Sequence, residues 1–179
     1  MSRQSIRTGI AAYFGGSTVT ASGWYQPTPL AGLGLAGVRA YYKERFADNE
    51  YFTGLADGVR TGAILCVHLE DNVEKRHAIG GILDSPFNVT LYLWLLSRSA
   101  EIEAAQAACD DLLDALKAML RADPTLGMGI NSSAPVKVTQ AGEGEAGIRT
   151  ACAVPYGDPP KTTRQEAVIA FTANTYLAG

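Results

Sequence analysis

The stretch that decides the fold begins with FNVTLYLWLL at residues 87–96. Its apolar side chains recur at every second position: Phe87, Val89, Leu91, Leu93 and Leu95. A period of two in a segment rich in aromatic and β-branched residues is typical of a β-strand. We therefore predict a strand over residues 87–96 that is covered on at least one face.

The period changes after Ser97 and Ser99, either of which can cap a helix. Apolar residues then recur every three or four positions: Ile102, Ala105, Cys109, Leu112, Leu113, Leu116, Met119 and Leu120. This spacing predicts an amphipathic helix over about residues 99–121, which Pro124 prevents from continuing. A strand followed directly by such a helix predicts a two-layer core of sheet on helix.

Length and composition favour a single domain spanning residues 1–179. The net charge of -3, without a cluster of Lys and Arg, argues against specific nucleic-acid binding. Arg98 and Glu101 interrupt the longest apolar run, so we predict no membrane span. Residues 1–7 are followed by no apolar run, so we predict no signal peptide. The three cysteines, Cys66, Cys109 and Cys152, lie in apolar surroundings and are expected to be reduced core thiols, assembled in a reducing cytoplasm.

The remaining segments complete an α+β fold, in which a mostly antiparallel sheet packs against the long helix and a short N-terminal helix. We predict that short helix over residues 5–14, followed by an irregular Gly- and Pro-rich connection over about 15–37 with room for a brief strand at 18–21. The predicted strands comprise residues 38–43, 63–69, 136–139, 148–154 and 168–176, in addition to 87–96. The segment 38–46 fits a helix as well as a strand, and a strand over 38–43 is favoured. The strands at 148–154 and 168–176 form an antiparallel pair joined by a loop at 155–160, and residues 70–86 form a projecting hairpin arm.

Three patterns suggest chemistry, and each has a simpler explanation. Residues 32–37 match the dinucleotide motif GxGxxG, but no buried strand precedes them as that motif requires, so a flexible or partner-ordered loop is favoured. Cys66 and His68 share one face of a strand, yet no further ligands complete a metal site. Ser132 and Ser133 have only His68 and His77 as candidate bases. We therefore predict no enzyme, no cofactor and no metal.

Two groups of residues suggest contacts with other subunits. The arm carries charges of both signs, which suit pairing with an identical neighbour in a ring. These residues are Glu70, Asp71, Glu74, Lys75, Arg76 and His77. Aromatic residues near the loops belong either to the core or to an interface. They are Trp24, Tyr25, Tyr41, Tyr42, Tyr51 and Phe52.

In its order of elements the chain resembles the tail terminator (tail-completion) proteins of long-tailed phages, especially those of actinobacterial hosts. The likeness comprises the N-terminal helix, the Asp57-Gly58 loop before the strand at 63–69, and RHAIGG at residues 76–81. It continues with YLWL at 92–95, the Ala-rich acidic helix, RADPTLG at 121–127 and the closing strand pair. The connection over residues 15–37 departs from the family pattern.

The resemblance implies a structural virion protein with no catalytic residues. Such proteins are assembled in the host cytoplasm and form a homo-hexameric ring at the head-proximal end of the tail tube. The ring stops tube polymerisation and joins the tail to the neck, so the expected partners are the chain itself, the tail tube protein and a neck or head-completion protein. We expect the arm and the loop 155–161, with Tyr156, Asp158 and Lys161, to touch other subunits. The alternatives are another neck or head-closure protein, a tube subunit, or a small cytoplasmic enzyme.

Overall fold

A sheet of ten β-strands, with two α-helices on one face, makes up the described part of the protein. The computed structural model describes residues 3–72, 75–76, 83–129, 136–138, 147–158 and 161–177. The helices are α1 (Arg3–Gly15) and α2 (Ile102–Ala122). The strands are β1 (Thr18–Val19), β2 (Trp24–Gln26), β3 (Leu35–Arg39), β4 (Thr61–Asn72), β5 (Lys75–Arg76), β6 (Leu83–Ser97), β7 (Val136–Val138), β8 (Arg149–Cys152), β9 (Tyr156–Asp158) and β10 (Thr162–Leu177).

The order of the strands confirms the predicted α+β fold with a mostly antiparallel sheet. They run β1-β2-β3-β4-β6-β10, and of these neighbours β3 and β4 are parallel while the others are antiparallel. The short strands β7, β8 and β9 pair in turn along the other side of β10, and β5 pairs with β6. The sheet therefore ends at β1 on one side and at β7, β8 and β9 on the other.

The central strand is β6, which lies between β4 and β10. Leu93 of β6 is opposite both Leu65 of β4 and Ala167 of β10, and all three are buried. Residues directly opposite each other point to the same face, so these side chains lie beneath the helices. The strand begins at residue 83, earlier than the predicted 87. Ser85 and Pro86 signal a turn in isolation, but pairing with β10 keeps them extended.

Both helices pack on the same face of the sheet. The buried stripe of α2 consists of Ala105, Cys109, Leu112, Leu113, Leu116 and Leu120, as the helical period predicts. The stripe of α1 consists of Ile6, Ile10, Ala11 and Phe14, which join the same hydrophobic core. The helix α1 ends at the predicted glycines, and Gly16 adopts the left-handed conformation common after a helix (φ +93°).

The ends of α2 differ in detail from the prediction. The helix begins at Ile102, not residue 99, and the Ser99 hydroxyl instead accepts a hydrogen bond from the Glu101 N–H at 3.1 Å. Beyond the C-terminus, Asp123 organises the turn. Its carboxylate accepts hydrogen bonds from the backbone N–H groups of Thr125 and Gly127 at 2.9 and 2.8 Å, and from the Thr125 hydroxyl.

The connection over residues 15–37 contains more regular structure than predicted, and β1 lies within the brief strand expected at 18–21. This segment contains β1, β2 and the start of β3, and the Gln26 side chain donates to the Ala36 and Thr53 carbonyls at 2.7 and 3.1 Å. The strand predicted at 38–43 is β3, which lies earlier in the chain. Strands of two to five residues are too short to show a periodic pattern in the sequence, and they are stabilised by side-chain hydrogen bonds and by pairing with neighbouring strands.

The predicted loop at 155–160 also contains regular structure. Residues 156–158 form β9, which pairs with the first residues of β10. The strand β10 begins at Thr162, not at 168, since pairing on both sides extends it. The antiparallel pairing of β8 with β10 agrees with the predicted closing strand pair.

Candidate interaction surfaces

The face of the sheet opposite the helices, called the open face below, carries an aromatic cluster. The connection between β3 and β4 places Phe46 between Trp24 and Tyr51, with ring centroids 5.8 and 6.1 Å apart. Ile64 and Leu96 form the floor of this cluster and are fully buried. The open face therefore has a second, smaller core at one end.

Further along the open face the aromatic side chains become accessible. Tyr42 is 45% exposed, and its ring lies 4.9 Å from that of Tyr92 and 6.3 Å from that of Trp94. Tyr41 is 50% exposed but lies against α1, where its ring centroid is 4.7 Å from the Arg7 guanidinium. Among the described residues no acceptor reaches the buried Nε1–H of Trp94. Exposed aromatics beside an unpaired donor are typical of a surface that another molecule covers. The aromatic residues near the loops thus fall into two groups: Trp24 and Tyr51 are buried in the smaller core, whereas Tyr42 is accessible.

A cleft of about 520 Å³ separates this connection from β6, β9 and β10. Its charged lining residues are Glu44, Arg45, Arg164 and Glu166. Arg164 donates a hydrogen bond to the Asp48 carboxylate at 2.6 Å. Burial raises the pKa of Tyr51 to about 12, so its hydroxyl remains protonated at neutral pH. The cleft thus presents hydrogen-bond donors and acceptors, and side chains of both positive and negative charge, to a polar ligand group.

The sequence did not predict this cleft. Asp48 and Arg164 are 116 residues apart, and no local pattern links them. Alternation along β10 was the available signal, because it places Arg164 and Glu166 on the same face. It does not tell which part of the chain lies opposite that face.

The arm begins at Glu70, near the end of β4. Glu70 is exposed, and its carboxylate accepts a hydrogen bond from the Thr90 hydroxyl at 2.9 Å. Its backbone carbonyl accepts another from Arg3 at 2.8 Å. The first residue of the predicted interface is therefore held against the body of the protein.

Three further predicted interface residues, Asp71, Lys75 and Arg76, belong to β4 and β5. The strand β5 pairs with the beginning of β6, as expected for a hairpin arm. Glu74 and His77 lie outside the described residues. Contact of the arm with another subunit stays a prediction.

The second predicted contact region is β9 and the residues around it. Tyr156 is 48% exposed and lines the cleft, and Lys161 is exposed just before β10. Asp158 is the residue of β9 opposite Thr162. Along β6 the arm pairs at residue 84, whereas β9 lies level with residue 96. At about 3.3 Å per residue, the two regions are about 40 Å apart, at opposite ends of the sheet.

Comparisons with known proteins give no assignment. No model of a protein family matches the chain, and no curated protein matches it. In the described part of the chain, neither helix combines the length and the apolar character needed to cross a bilayer.

The GxGxxG segment does not have the dinucleotide-binding arrangement. The strand β3 overlaps and follows the motif, whereas a dinucleotide site needs a strand before it and a helix after it. Gly34 has φ +92°, and a Cβ there would approach the Thr61 carbonyl oxygen at 2.5 Å. A Cβ at Gly37 would meet the Trp24 ring at 2.9 Å. These glycines therefore allow close packing of neighbouring chain segments.

The other chemical candidates are also placed. Cys66 and His68 share the open face of β4, as predicted, and burial raises the pKa of Cys66 to about 11. Across the residues that the structure describes, no three His, Cys, Asp or Glu side chains are grouped to hold a metal ion. Ser132 and Ser133 lie outside those residues. The prediction of three core thiols was wrong for Cys152, which is exposed because β8 lies at the edge of the sheet.

Proposed function

We propose that this chain is a phage tail terminator. It forms a homo-oligomeric ring, expected to be a hexamer, at the head-proximal end of the tail tube, where it stops tube polymerisation and joins the tail to the neck. The proposal starts from the order of motifs along the chain, including RHAIGG at 76–81 and RADPTLG at 121–127. It assigns a structural role, without catalysis, within the virion.

The observation that carries the proposal is the position of the two predicted contact regions. A closed head-to-tail ring needs two different surfaces on each subunit, each binding the other surface of its neighbour. The described part of the arm and β9 lie at opposite ends of the long strands. This separation supports a ring built by repeating one heterologous contact.

The open face supports a second kind of contact, with a protein other than a copy of this chain. Tyr42 and the unpaired donor of Trp94 lie on it. A terminator must bind the last ring of the tube without offering the same surface again. A face whose cleft combines aromatic rings with charges of both signs suits such a distinct partner.

The proposal is tested by measuring the mass of the purified protein in solution and by imaging it with purified tube protein. We expect a single ring species that caps tubes and limits their length. Long filaments of the protein alone would indicate a tube subunit, and a ring that leaves tube length unchanged would indicate a neck protein. A monomer or dimer without effect on tubes contradicts the proposal.

A pair of variants tests the contact regions. The double variant Tyr156→Ala, Lys161→Glu changes exposed groups around β9 and should shift the ring toward monomers. Asp111→Lys is the matched control, since it reverses an exposed charge on the outer surface of α2. Circular dichroism should show both folded. An intact ring with the β9 variant would exclude β9 from the interface.

A further inference from the structure

Two of the three cysteines meet where α2 faces β8. Cys109 lies on the buried stripe of α2, and Cys152 is the last residue of β8 and is exposed. Cys152 is opposite Ala167, a core residue beneath the helices, so its side chain points toward α2. It lines a groove together with Gln106 and Asp110, which lie on either side of Cys109 along α2. The fold thus brings the two thiols together.

The environments of the two thiols differ. Burial raises the pKa of Cys109 to about 12, with further contributions from Cys152 and Asp110, and the Cys152 side chain is within hydrogen-bonding reach of Cys109. Cys109 therefore stays protonated at neutral pH. Cys152 is accessible, so a small oxidant in solution reaches it first. Cys66 is buried on the opposite face of the sheet and is remote from this pair.

We propose that Cys109 and Cys152 form an intramolecular disulfide bond when the folded protein meets hydrogen peroxide. The Cys152 sulfur first attacks the peroxide, so that an S–O bond forms, the O–O bond breaks, and water leaves. The Cys109 sulfur then attacks the resulting sulfenic acid, which forms the S–S bond and breaks the S–O bond. The thiol proton of Cys109 leaves with the hydroxyl group as a second water. Two thiols are oxidised by one peroxide, which is reduced to two waters.

The bond would tie an edge strand to the helix layer. It closes a loop of about 40 residues, which restricts the unfolded chain and raises stability. We expect the melting temperature to rise by about 5–10 °C on oxidation. Because Cys109 is protonated, the second step should be slow at neutral pH and faster in alkaline buffer.

The test treats the full-length folded protein with hydrogen peroxide, then denatures it and alkylates free thiols with N-ethylmaleimide. The oxidised protein should lose a mass of about 2 Da and retain one alkylatable thiol, Cys66, of the three. Peptide mapping should find Cys109 linked to Cys152. The variant Cys66→Ala should still form the bridge, whereas Cys152→Ser should not form it and should show no thermal shift.

Two results would overturn the proposal. In one, Cys152 is oxidised to a sulfinic acid while Cys109 remains alkylatable. In the other, Cys152 links two protein chains with Cys109 again free. Both are read on the wild-type protein, so the outcome does not depend on a variant that folds.

Discussion

The two faces of the sheet are built differently. The helix-covered face consists mainly of aliphatic side chains that are almost completely buried, such as Leu91, Leu112 and Ile169, with a few aromatic rings such as Phe14 and Phe171. The open face has aromatic and polar side chains, and residues such as Tyr92 and Trp94 are only partly buried. The difference shows that the helix-covered face accounts for most of the hydrophobic stabilisation, while the open face leaves aromatic and polar groups accessible to solvent.

The largest expected effect comes from truncating the helix-covered face. Leu112→Ala removes a fully buried side chain between α2 and the sheet and should lower the free energy of unfolding by about 2–5 kcal/mol. The matched control is Val168→Ala on the open face, where a partly buried side chain should cost about 1 kcal/mol or less. Urea denaturation measures both. Equal losses would show that the two faces contribute alike.

The next effect tests how the open face is covered. A Cβ at Gly62 of β4 would collide with the Tyr51 carbonyl oxygen, which belongs to rigid backbone. Gly62→Ala should therefore cost about 1–3 kcal/mol and detach the Tyr51 segment from the sheet. In the control Gly32→Ala, a Cβ meets nothing within 4 Å, and we expect little change. Near-UV circular dichroism of the aromatic cluster should change for the first variant and not for the second.

The sequence predicted the helix-covered face better than the open face. Alternation in β6 and the helical stripe of α2 are local patterns, and the bounds of both elements lie within four residues of the predicted ones. The true start of β3 and the beginning of β10 were missed because pairing with neighbours, not periodicity, defines them. The cleft joins Asp48 to Arg164 across 116 residues, so only the folded chain brings its parts together. The pairing of β5 with β6 fits a hairpin, whereas the projecting arm over residues 70–86 and its contacts with other subunits stay predictions.

A smaller effect concerns the turn that closes the helix layer. Asp123→Ala removes the carboxylate that accepts hydrogen bonds from Thr125 and Gly127. We expect a loss of about 1–2 kcal/mol in the free energy of unfolding, because the turn places Leu126 in the core. Thermal unfolding measures the loss. Asp111→Ala, on the outer surface of α2, is the matched control and should change stability little.

The same carboxylate predicts a pH dependence. Its hydrogen bonds, led by that from the Thr125 hydroxyl, lower the pKa of Asp123 below its ordinary value of 3.8. The folded state therefore binds the proton less readily than the unfolded state, so the stabilisation is present above about pH 4 and is lost as the pH falls through the lowered pKa. Asp123→Asn should lose less stability than the wild type between pH 5 and 3. If the free energy of unfolding fell equally for the wild type and Asp123→Asn between pH 5 and 3, the assignment to Asp123 would be contradicted.

The smallest effect is expected at the ion pair across the cleft. Asp48→Asn removes the charge partner of Arg164, but the Asp48 side chain is 67% exposed and solvent screens the pair. We expect a change below about 1 kcal/mol, which added salt diminishes further. The matched control, Asp57→Asn, changes another exposed aspartate before β4. A large loss at Asp48 alone would mean that this pair, more than the aromatic cluster, holds the connection on the open face.

The edge of the sheet formed by β7, β8 and β9 has a consequence for the behaviour of the protein at high concentration. Strands of three, four and three residues occupy that edge, so no long uninterrupted ladder of backbone groups is offered there in the described residues. Another polypeptide that paired with this edge as an added strand would form only a few backbone hydrogen bonds, because each edge strand ends after three or four residues. The short edge strands therefore disfavour edge-to-edge aggregation and amyloid-like growth, while they still allow specific contacts of a few residues.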